Sequence, residues 1–148
     1  MLLVILFAII IGCIVHFLYN AFKDKDEQYN KIKRNFLLLN DWMDFSRTEN
    51  HALATLLWEK GYKEIIIYGW SFLGEQLYKD LQGTQIKVKG ILDRRTVTNV
   101  YNTPTYNLKS KLPEVDAVII TVLYDGEKIK NDLATVVKCP AISLEDLV

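Results

Sequence analysis

The chain has 148 residues, of which 50% are hydrophobic and 24% charged, a composition that suits one folded domain. Basic and acidic residues number 18 each, so no net charge attracts nucleic acid, and we expect no nucleic-acid partner. The two cysteines, Cys13 and Cys139, are isolated in sequence, which is typical of a reducing compartment and makes a zinc site improbable.

The N-terminal segment is strongly apolar, and no residue from Met1 to Phe22 carries a charge. As a helix it would be roughly 33 Å long, and the hydrocarbon core of a bilayer is about 30 Å thick. The segment is apolar on every face, unlike an amphipathic core helix, and it lacks the basic region and cleavage site of a signal peptide. We expect residues 1–22 to form a transmembrane helix.

Basic residues follow this segment and none precedes it. They are Lys23, Lys25, Lys31, Lys33 and Arg34. The positive-inside rule therefore predicts a single-pass protein of the inner or plasma membrane, with its C-terminal domain in the cytoplasm.

A helical connector is predicted over residues 23–61. Apolar side chains recur at helical spacing in its first part, and a polar break follows at residues 46–50. A second helix is expected from His51 to Lys60, with Asn50 as its N-cap and Gly61 just past its end. These helices could pack on the domain or mediate self-association, so a homo-oligomer is one possible state. The spaced apolar residues are Tyr29, Ile32, Phe36, Leu39, Trp42, Met43 and Phe45.

Residues 62–148 alternate between short β-branched runs and helical segments, which predicts a parallel sheet with helices on its faces. The predicted strands are 64–69, 86–93, 117–122 and a shorter one at 141–143, with a short strand and turn within 100–106. The predicted helices are 72–81, 126–137 and a brief one at 108–112. The expected fold class is thus α/β, a Rossmann-like parallel sheet with flanking helices, preceded by the transmembrane helix and the helical pair.

A glycine-containing turn joins the first strand of this domain to its first helix. Its spacing is that of the G-x-G-x-x-G dinucleotide fingerprint, with serine at the middle glycine position. Gly69 would permit a tight turn, the helix start would hold a phosphate, and Gly74 would let the helix pack closely on the sheet. Trp70 could cover the site or stack on a base. The residues of the turn are Gly69, Trp70, Ser71, Phe72, Leu73 and Gly74.

Three further residues complete the predicted cofactor site. Asp93 ends the second strand, where an acidic side chain can accept hydrogen bonds from a ribose. Arg94, with Arg95 beside it, could contact a phosphate, although Asp93 would repel a 2′-phosphate and so favours NADH over NADPH. Thr121 lies near the end of the third strong strand, where parallel sheets bind ligands. The expected cofactor is NAD or a nucleotide-sugar.

No catalytic constellation accompanies this site. The sequence has no Ser-His-Asp set, paired carboxylates or metal-ligand spacing, and both histidines, His16 and His51, lie outside the domain. We therefore assign no catalytic and no metal-binding residue.

From Tyr62 to Val148 the chain resembles the small Rossmann-like domains of bacterial surface-polysaccharide enzymes. These are the N-terminal domains of sugar acyltransferases and the nucleotide-binding domains of membrane-bound nucleotide-sugar epimerase/dehydratases. The resemblance implies a nucleotide or nucleotide-sugar held by Gly69, Ser71, Gly74 and Asp93, and glycan-assembly enzymes as partners. It rests on residues 65–69, 73–74, 90–93, 103–104, 115–121 and 142–143.

The 148 residues include neither a hexapeptide-repeat acyltransferase domain nor the extended catalytic half of an epimerase/dehydratase. We therefore expect a membrane-anchored cytoplasmic accessory module that binds a nucleotide or nucleotide-sugar in surface-polysaccharide biosynthesis. Two alternatives stay open. One is a small NAD-dependent epimerase or oxidoreductase that needs a partner subunit, and the other is a non-binding membrane scaffold that retains a degenerate Rossmann fold.

Overall fold

The computed structural model of the chain describes residues 2–48, 52–95, 97, 100–124 and 126–148. Within these parts the chain forms four α-helices, five strands and one 3-10 turn. The helices are α1 Leu2–Thr48, α2 Ala52–Glu59, α3 Phe72–Asp80 and α4 Gly126–Ala134, and the 3-10 turn is Leu144–Asp146. The strands are β1 Glu64–Tyr68, β2 Lys87–Leu92, β3 Thr105–Tyr106, β4 Ala117–Ile120 and β5 Ala141–Ser143.

The chain divides into two compact units, Met1–Phe36 and Leu37–Val148. In the first unit large apolar side chains are exposed, among them Phe17 at 71% and Phe22 at 66%. Residues 2–22 are helical, as the sequence predicts. Among the described residues, no helix has both the length and the apolar character that crossing a membrane requires.

The polar break predicted to begin at Ser46 is wrong, because α1 continues to Thr48. Arg47 donates to Asp44 at 2.8 Å, and an ion pair at this spacing suits a continuing helix. Asn50 and His51, the predicted cap and start of the next helix, lie outside the described residues. That helix, α2, ends at Glu59, one residue before the predicted end at Lys60, and Gly61 follows it with φ +84°, as a glycine past a helix end favours.

All five strands are parallel, in the order β3-β2-β1-β4-β5. The central strand β1 has neighbours on both sides, and its three isoleucines, at 65–67, are fully buried. The chain leaves β1 for β2 on one side and later returns to β4 on the other side. The carboxyl ends of β1 and β4 therefore meet at a topological switch point. The predicted α/β class, with a parallel sheet and flanking helices, is confirmed.

Apolar clusters cover both faces of the sheet. One cluster joins Ile65 of β1 to Leu57 of α2 and Leu77 of α3. The other joins Ile66 of β1 to Leu133 of α4. Because successive residues of a strand point to opposite faces, the two clusters lie on opposite sides of the sheet. The strands that form the switch point therefore have an apolar cluster packed against each of their two faces.

The brief helix predicted at residues 108–112 is wrong, because this segment forms a turn. Asn107 Oδ1 accepts the N–H of Lys109 at 2.9 Å, and Ser110 Oγ accepts the N–H of Asn107 at 3.1 Å. Such local side-chain bonds compete with helical hydrogen bonds. Pro113 also disfavours helical backbone at Leu112.

Candidate functional site

The turn after β1 requires glycine at its first position. Gly69 has φ +94°, and its N–H donates to the carbonyl oxygen of Leu92 at 2.9 Å. A Cβ at this residue would lie 2.5 Å from Cγ2 of Val122, so space and backbone conformation both exclude a side chain. Ser71 follows in an extended conformation, and α3 begins at Phe72. The segment has the strand–turn–helix geometry that its glycine spacing predicts.

Gly74 permits close contact between α3 and the turn. A Cβ at residue 74 would lie 2.1 Å from the carbonyl oxygen of Gly69 and 3.1 Å from Oγ1 of Thr121. Because the nearer atom belongs to the backbone, it cannot move aside as a flexible side chain could. The structure thus has the close packing of helix on strand that the sequence predicts for Gly74.

Thr121 lies beneath the turn and is 1% exposed. Its Oγ1 is 2.8 Å from the carbonyl oxygen of Gly69 and 3.0 Å from that of Tyr68. Its backbone N–H also donates to the Tyr68 carbonyl oxygen at 3.0 Å. Thr121 therefore joins the ends of β1 and β4. In this geometry it positions the turn, and a ligand could reach its hydroxyl only if these bonds broke.

Asp93 follows β2 and is 6% exposed. Its Oδ2 accepts the N–H of Trp70 at 2.7 Å, and its Oδ1 accepts the N–H of Arg95 at 2.8 Å. The Arg95 guanidinium adds longer contacts at 3.4 and 3.5 Å. Burial opposes ionisation, but these bonds and the Arg95 charge outweigh it and lower the pKa of Asp93 from its ordinary value. The side chain is consequently a carboxylate at neutral pH.

This network differs from the role predicted for Asp93. The sequence predicts ribose hydroxyls as its donors, whereas the donors in the structure are the backbone N–H groups of Trp70 and Arg95. A carboxylate can accept about four hydrogen bonds, but little of this one faces solvent. The Trp70 N–H, which belongs to the glycine turn, donates to Asp93 and is therefore not free to bind a phosphate.

The two arginines after Asp93 have different partners. Arg94 donates to Oδ2 of Asp132 in α4 at 2.8 Å, so it is tied to the neighbouring helix. It also lies near Tyr68, whose phenol has a pKa raised by burial despite the opposing Arg94 charge. The Arg95 side chain is 73% exposed, although it contacts Asp93 and the Trp70 carbonyl oxygen. Arg95 is therefore better placed than the predicted Arg94 to meet a phosphate.

Trp70 is held in a cluster of aromatic rings. Its ring centroid lies 5.7 Å from that of Tyr78 and 6.4 Å from that of Tyr101, both edge to face. Tyr78 and Tyr101 stack at 5.5 Å with their planes 11° apart. The Tyr78 and Thr103 hydroxyls are hydrogen-bonded at 2.8 Å. Trp70 thus packs against protein rings, and stacking on a base would require it to leave them.

Sequence reasoning misses three members of this cluster, Tyr78, Tyr101 and Thr103. Tyr78 is distant in sequence from Tyr101 and Thr103, and no periodicity connects them. The available signal is Asn102, a residue type that readily adopts left-handed backbone. Tyr101 and Asn102 have φ of +42° and +60°, and this turn brings the Tyr101 ring towards α3.

The start of α3 presents unused hydrogen-bond donors. The first N–H groups of an α-helix have no partner within the helix, and Ser71 makes no side-chain capping bond here. In the described part of the chain, the N–H groups of Ser71, Phe72 and Leu73 donate to no protein acceptor. Ser71 and Phe72 are also exposed. Together with the helix dipole, these donors can hold an anionic group such as a phosphate.

A cleft of about 580 Å³ opens beside the carboxyl end of β2. One wall contains Arg94, Arg95 and Val97, and the other is formed by residues 105–109. Arg95 and Lys109 give the cleft a positive charge. Its volume is within the range of small-molecule sites.

Within the described ranges, no three His, Cys, Asp or Glu side chains are grouped so that they could hold a metal ion. No family model matches the chain, and no curated protein or solved structure is similar enough to count as a match. The function must accordingly be inferred from the geometry of the glycine turn and its surroundings.

Proposed function

We propose that the chain is a membrane-attached module that binds the phosphate-bearing part of NAD or a nucleotide-sugar at residues 69–74. One observation carries this proposal, namely the exposed start of α3 at the switch point between β1 and β4. Open α/β sheets bind their ligands outside the carboxyl ends of the strands at such a point. That residues 62–148 form a Rossmann-like domain is part of the same proposal.

The surroundings of the turn favour a diphosphate over a neutral ligand. The Ser71 hydroxyl and the N–H groups of Ser71 and Phe72 are donors, and the Arg95 guanidinium supplies a positive charge. In the adjoining cleft Lys109 adds another charge. Asp93 contributes by fixing the turn through Trp70, so that it positions the donors and does not itself bind the ligand.

A nucleotide-sugar is the ligand we favour, because residues 62–148 resemble domains of bacterial surface-polysaccharide enzymes. In this role the module serves glycan-assembly enzymes at the cytoplasmic face of the membrane. If the purified chain, alone or with a partner subunit, turns over NAD or a nucleotide-sugar, the alternative of an epimerase or oxidoreductase is correct instead.

The binding proposal is tested with Ser71→Asp in the full chain, solubilised in detergent and titrated with NADH and UDP-glucose by calorimetry. Aspartate is a good N-cap, so the helix should stay stable, while its charge repels a phosphate at the same position. We expect affinity to fall about tenfold or more, which corresponds to about 1.4 kcal/mol. Gln85→Asp is the matched control, because it adds the same charge at an exposed position just before β2. This position lies at the amino ends of the strands, whereas the glycine turn lies at their carboxyl ends.

Binding that is unchanged in Ser71→Asp would contradict the proposed location.

A specific observation favours a second candidate, a scaffold without a ligand. The carboxylate of Asp93 already accepts the Trp70 and Arg95 N–H groups, so these two donors need no bound molecule. If neither ligand binds the wild-type chain at millimolar concentration, the scaffold is the better interpretation.

Membrane attachment is proposed from the uncharged run Met1–Phe22 and from the exposure of side chains such as Phe17 within it. We expect the chain to stay in the membrane pellet after alkaline carbonate extraction. For orientation, Gln85→Cys is introduced after Cys13 and Cys139 are changed to serine. An impermeant maleimide should label it only after the cells are lysed, and release into the supernatant or labelling of intact cells would overturn the arrangement.

A further inference from the structure

A seven-residue repeat runs along α1. Spacings of three and four residues alternate from Val15 to Met43. Because every position up to Phe22 lies in an apolar run, the repeat is informative from Lys25 onward, where five of its six positions are apolar. A period of 3.5 residues is that of a coiled coil, whereas a helix that packs on a globular core follows a period of 3.6. The nine positions are Val15, Leu18, Phe22, Lys25, Tyr29, Ile32, Phe36, Leu39 and Met43.

Four of these residues form an exposed apolar row in the first unit, which we call the seam. Phe22, Tyr29, Ile32 and Phe36 are 66%, 65%, 68% and 66% exposed. In the second unit, the residues of α1 that join the apolar core of the sheet are Leu38 and Trp42, at 6% and 5% exposed. Neither belongs to the repeat.

We propose that the seam pairs with the seam of a second copy of this chain in a parallel, two-stranded coiled coil. A second copy offers the same repeat, so each apolar residue meets its own equivalent across the interface. This inference goes beyond nucleotide binding and requires no ligand.

The charges at and beside the seam act in opposite directions in this pair. Lys25 is the single charged residue of the repeat, and in a parallel, in-register pair it faces Lys25 of the second copy. Asp26 of the second copy lies in the group of residues that surrounds each Lys25 and offsets this repulsion. The long Lys25 stem lets its ammonium reach that carboxylate and water. At the flanking positions Lys33 meets Gln28 of the second copy, so no like charges face each other there. A charged residue at one core position also fixes the register, at some cost in stability.

The oligomeric state of the full chain tests the proposal, measured by light scattering in detergent with a large excess of micelles over protein. We expect the wild-type chain to have twice the chain mass. Ile32→Glu/Phe36→Glu should weaken the dimer more than about a hundredfold, because two carboxylates would be buried in each helix. Asn30→Glu/Leu37→Glu is the matched control, since it adds the same charge at exposed positions off the seam, and it should stay dimeric.

A monomeric wild-type chain overturns the proposal, and so does a mass that changes equally in both double variants. Thermal unfolding of the domain distinguishes dissociation from loss of fold. Because the seam lies outside the buried clusters, the melting temperature of the domain should be unchanged in Ile32→Glu/Phe36→Glu. The register is tested with Ile32→Cys in a chain whose two cysteines are serine. Mild oxidation should cross-link it, whereas Asn30→Cys should stay uncross-linked, and equal cross-linking of both would refute parallel pairing.

Discussion

Asp93→Asn should destabilise the domain more than the same change at Asp116, because the two carboxylates use their oxygens differently. At Asp93 each oxygen accepts a different backbone N–H, from Trp70 at 2.7 Å and Arg95 at 2.8 Å. At Asp116 one oxygen, Oδ2, accepts both N–H groups, from Lys63 at 2.9 Å and Glu64 at 2.8 Å. An asparagine has one carbonyl oxygen, and its NH₂ group can only donate. It can therefore replace Asp116 but not Asp93.

The expected magnitudes follow from these bonds. In Asp93→Asn one N–H must face the NH₂ group, so one charge-assisted hydrogen bond is lost at a buried site, at a cost of about 1.5–3 kcal/mol. Asp116→Asn keeps both bonds at an exposed site and should cost less than about 1 kcal/mol. With about 4 °C per kcal/mol, the melting temperature falls by about 6–12 °C in Asp93→Asn and by less than about 4 °C in Asp116→Asn.

Thermal unfolding of the full chain in detergent, followed by tryptophan fluorescence, measures both changes under one condition. Coincidence with far-ultraviolet circular dichroism would support a two-state comparison. If Asp93→Asn melts at the same temperature as Asp116→Asn, the two N–H bonds to separate oxygens do not stabilise the turn, and the positioning role given to Asp93 is wrong.

The remaining predictions concern the same turn. Thr121→Val should lower the free energy of unfolding by about 1–3 kcal/mol, because it removes the donor to the buried Gly69 carbonyl oxygen. Thr121→Ser keeps the hydroxyl and should lower it by about 0.8 kcal/mol for the lost methyl group. Equal melting temperatures of the two variants would contradict this. Because the pKa of Asp93 is lowered on folding, its stabilisation is complete above its ordinary value of 3.8 and is lost as the pH falls through the lower folded value. The stability difference between wild type and Asp93→Asn should therefore be constant near neutral pH and shrink below about pH 3.8, as denaturant titrations at several pH values would show.

The central part of the fold is predictable because its signals are local. Strand β1 contains three successive isoleucines and is followed by Gly69, and the next helix, α3, has leucines spaced four residues apart, so both patterns appear in short windows. The turn at residues 107–110 is less predictable. Its outcome depends on whether the Asn107 and Ser110 side chains bond to the backbone, and that competition leaves no periodicity in the sequence.

The candidate site shows the same division. The positions of Gly69 and Gly74 are predictable because steric limits on a strand–turn–helix unit act within six residues. The bond between the Trp70 N–H and Asp93, and the contacts of the Trp70 ring, are not, because they join residues distant in sequence and depend on tertiary packing. Trp70 has the size to stack on a base, yet its neighbours are Tyr78 and Tyr101, whose approach requires the left-handed backbone at residues 101–102.

The all-parallel sheet also has a kinetic consequence. Parallel neighbours cannot be joined by a hairpin, so β1 pairs only with strands that are far from it in sequence. Glu64 pairs with Lys87, 23 positions later, and Ile65 pairs with Ala117, 52 positions later. Non-local pairing of this kind slows folding relative to helical proteins of similar size. During synthesis one backbone edge of the apolar strand β1 therefore remains unpaired until β4 has been made. In this interval the nascent chain is most prone to aggregate.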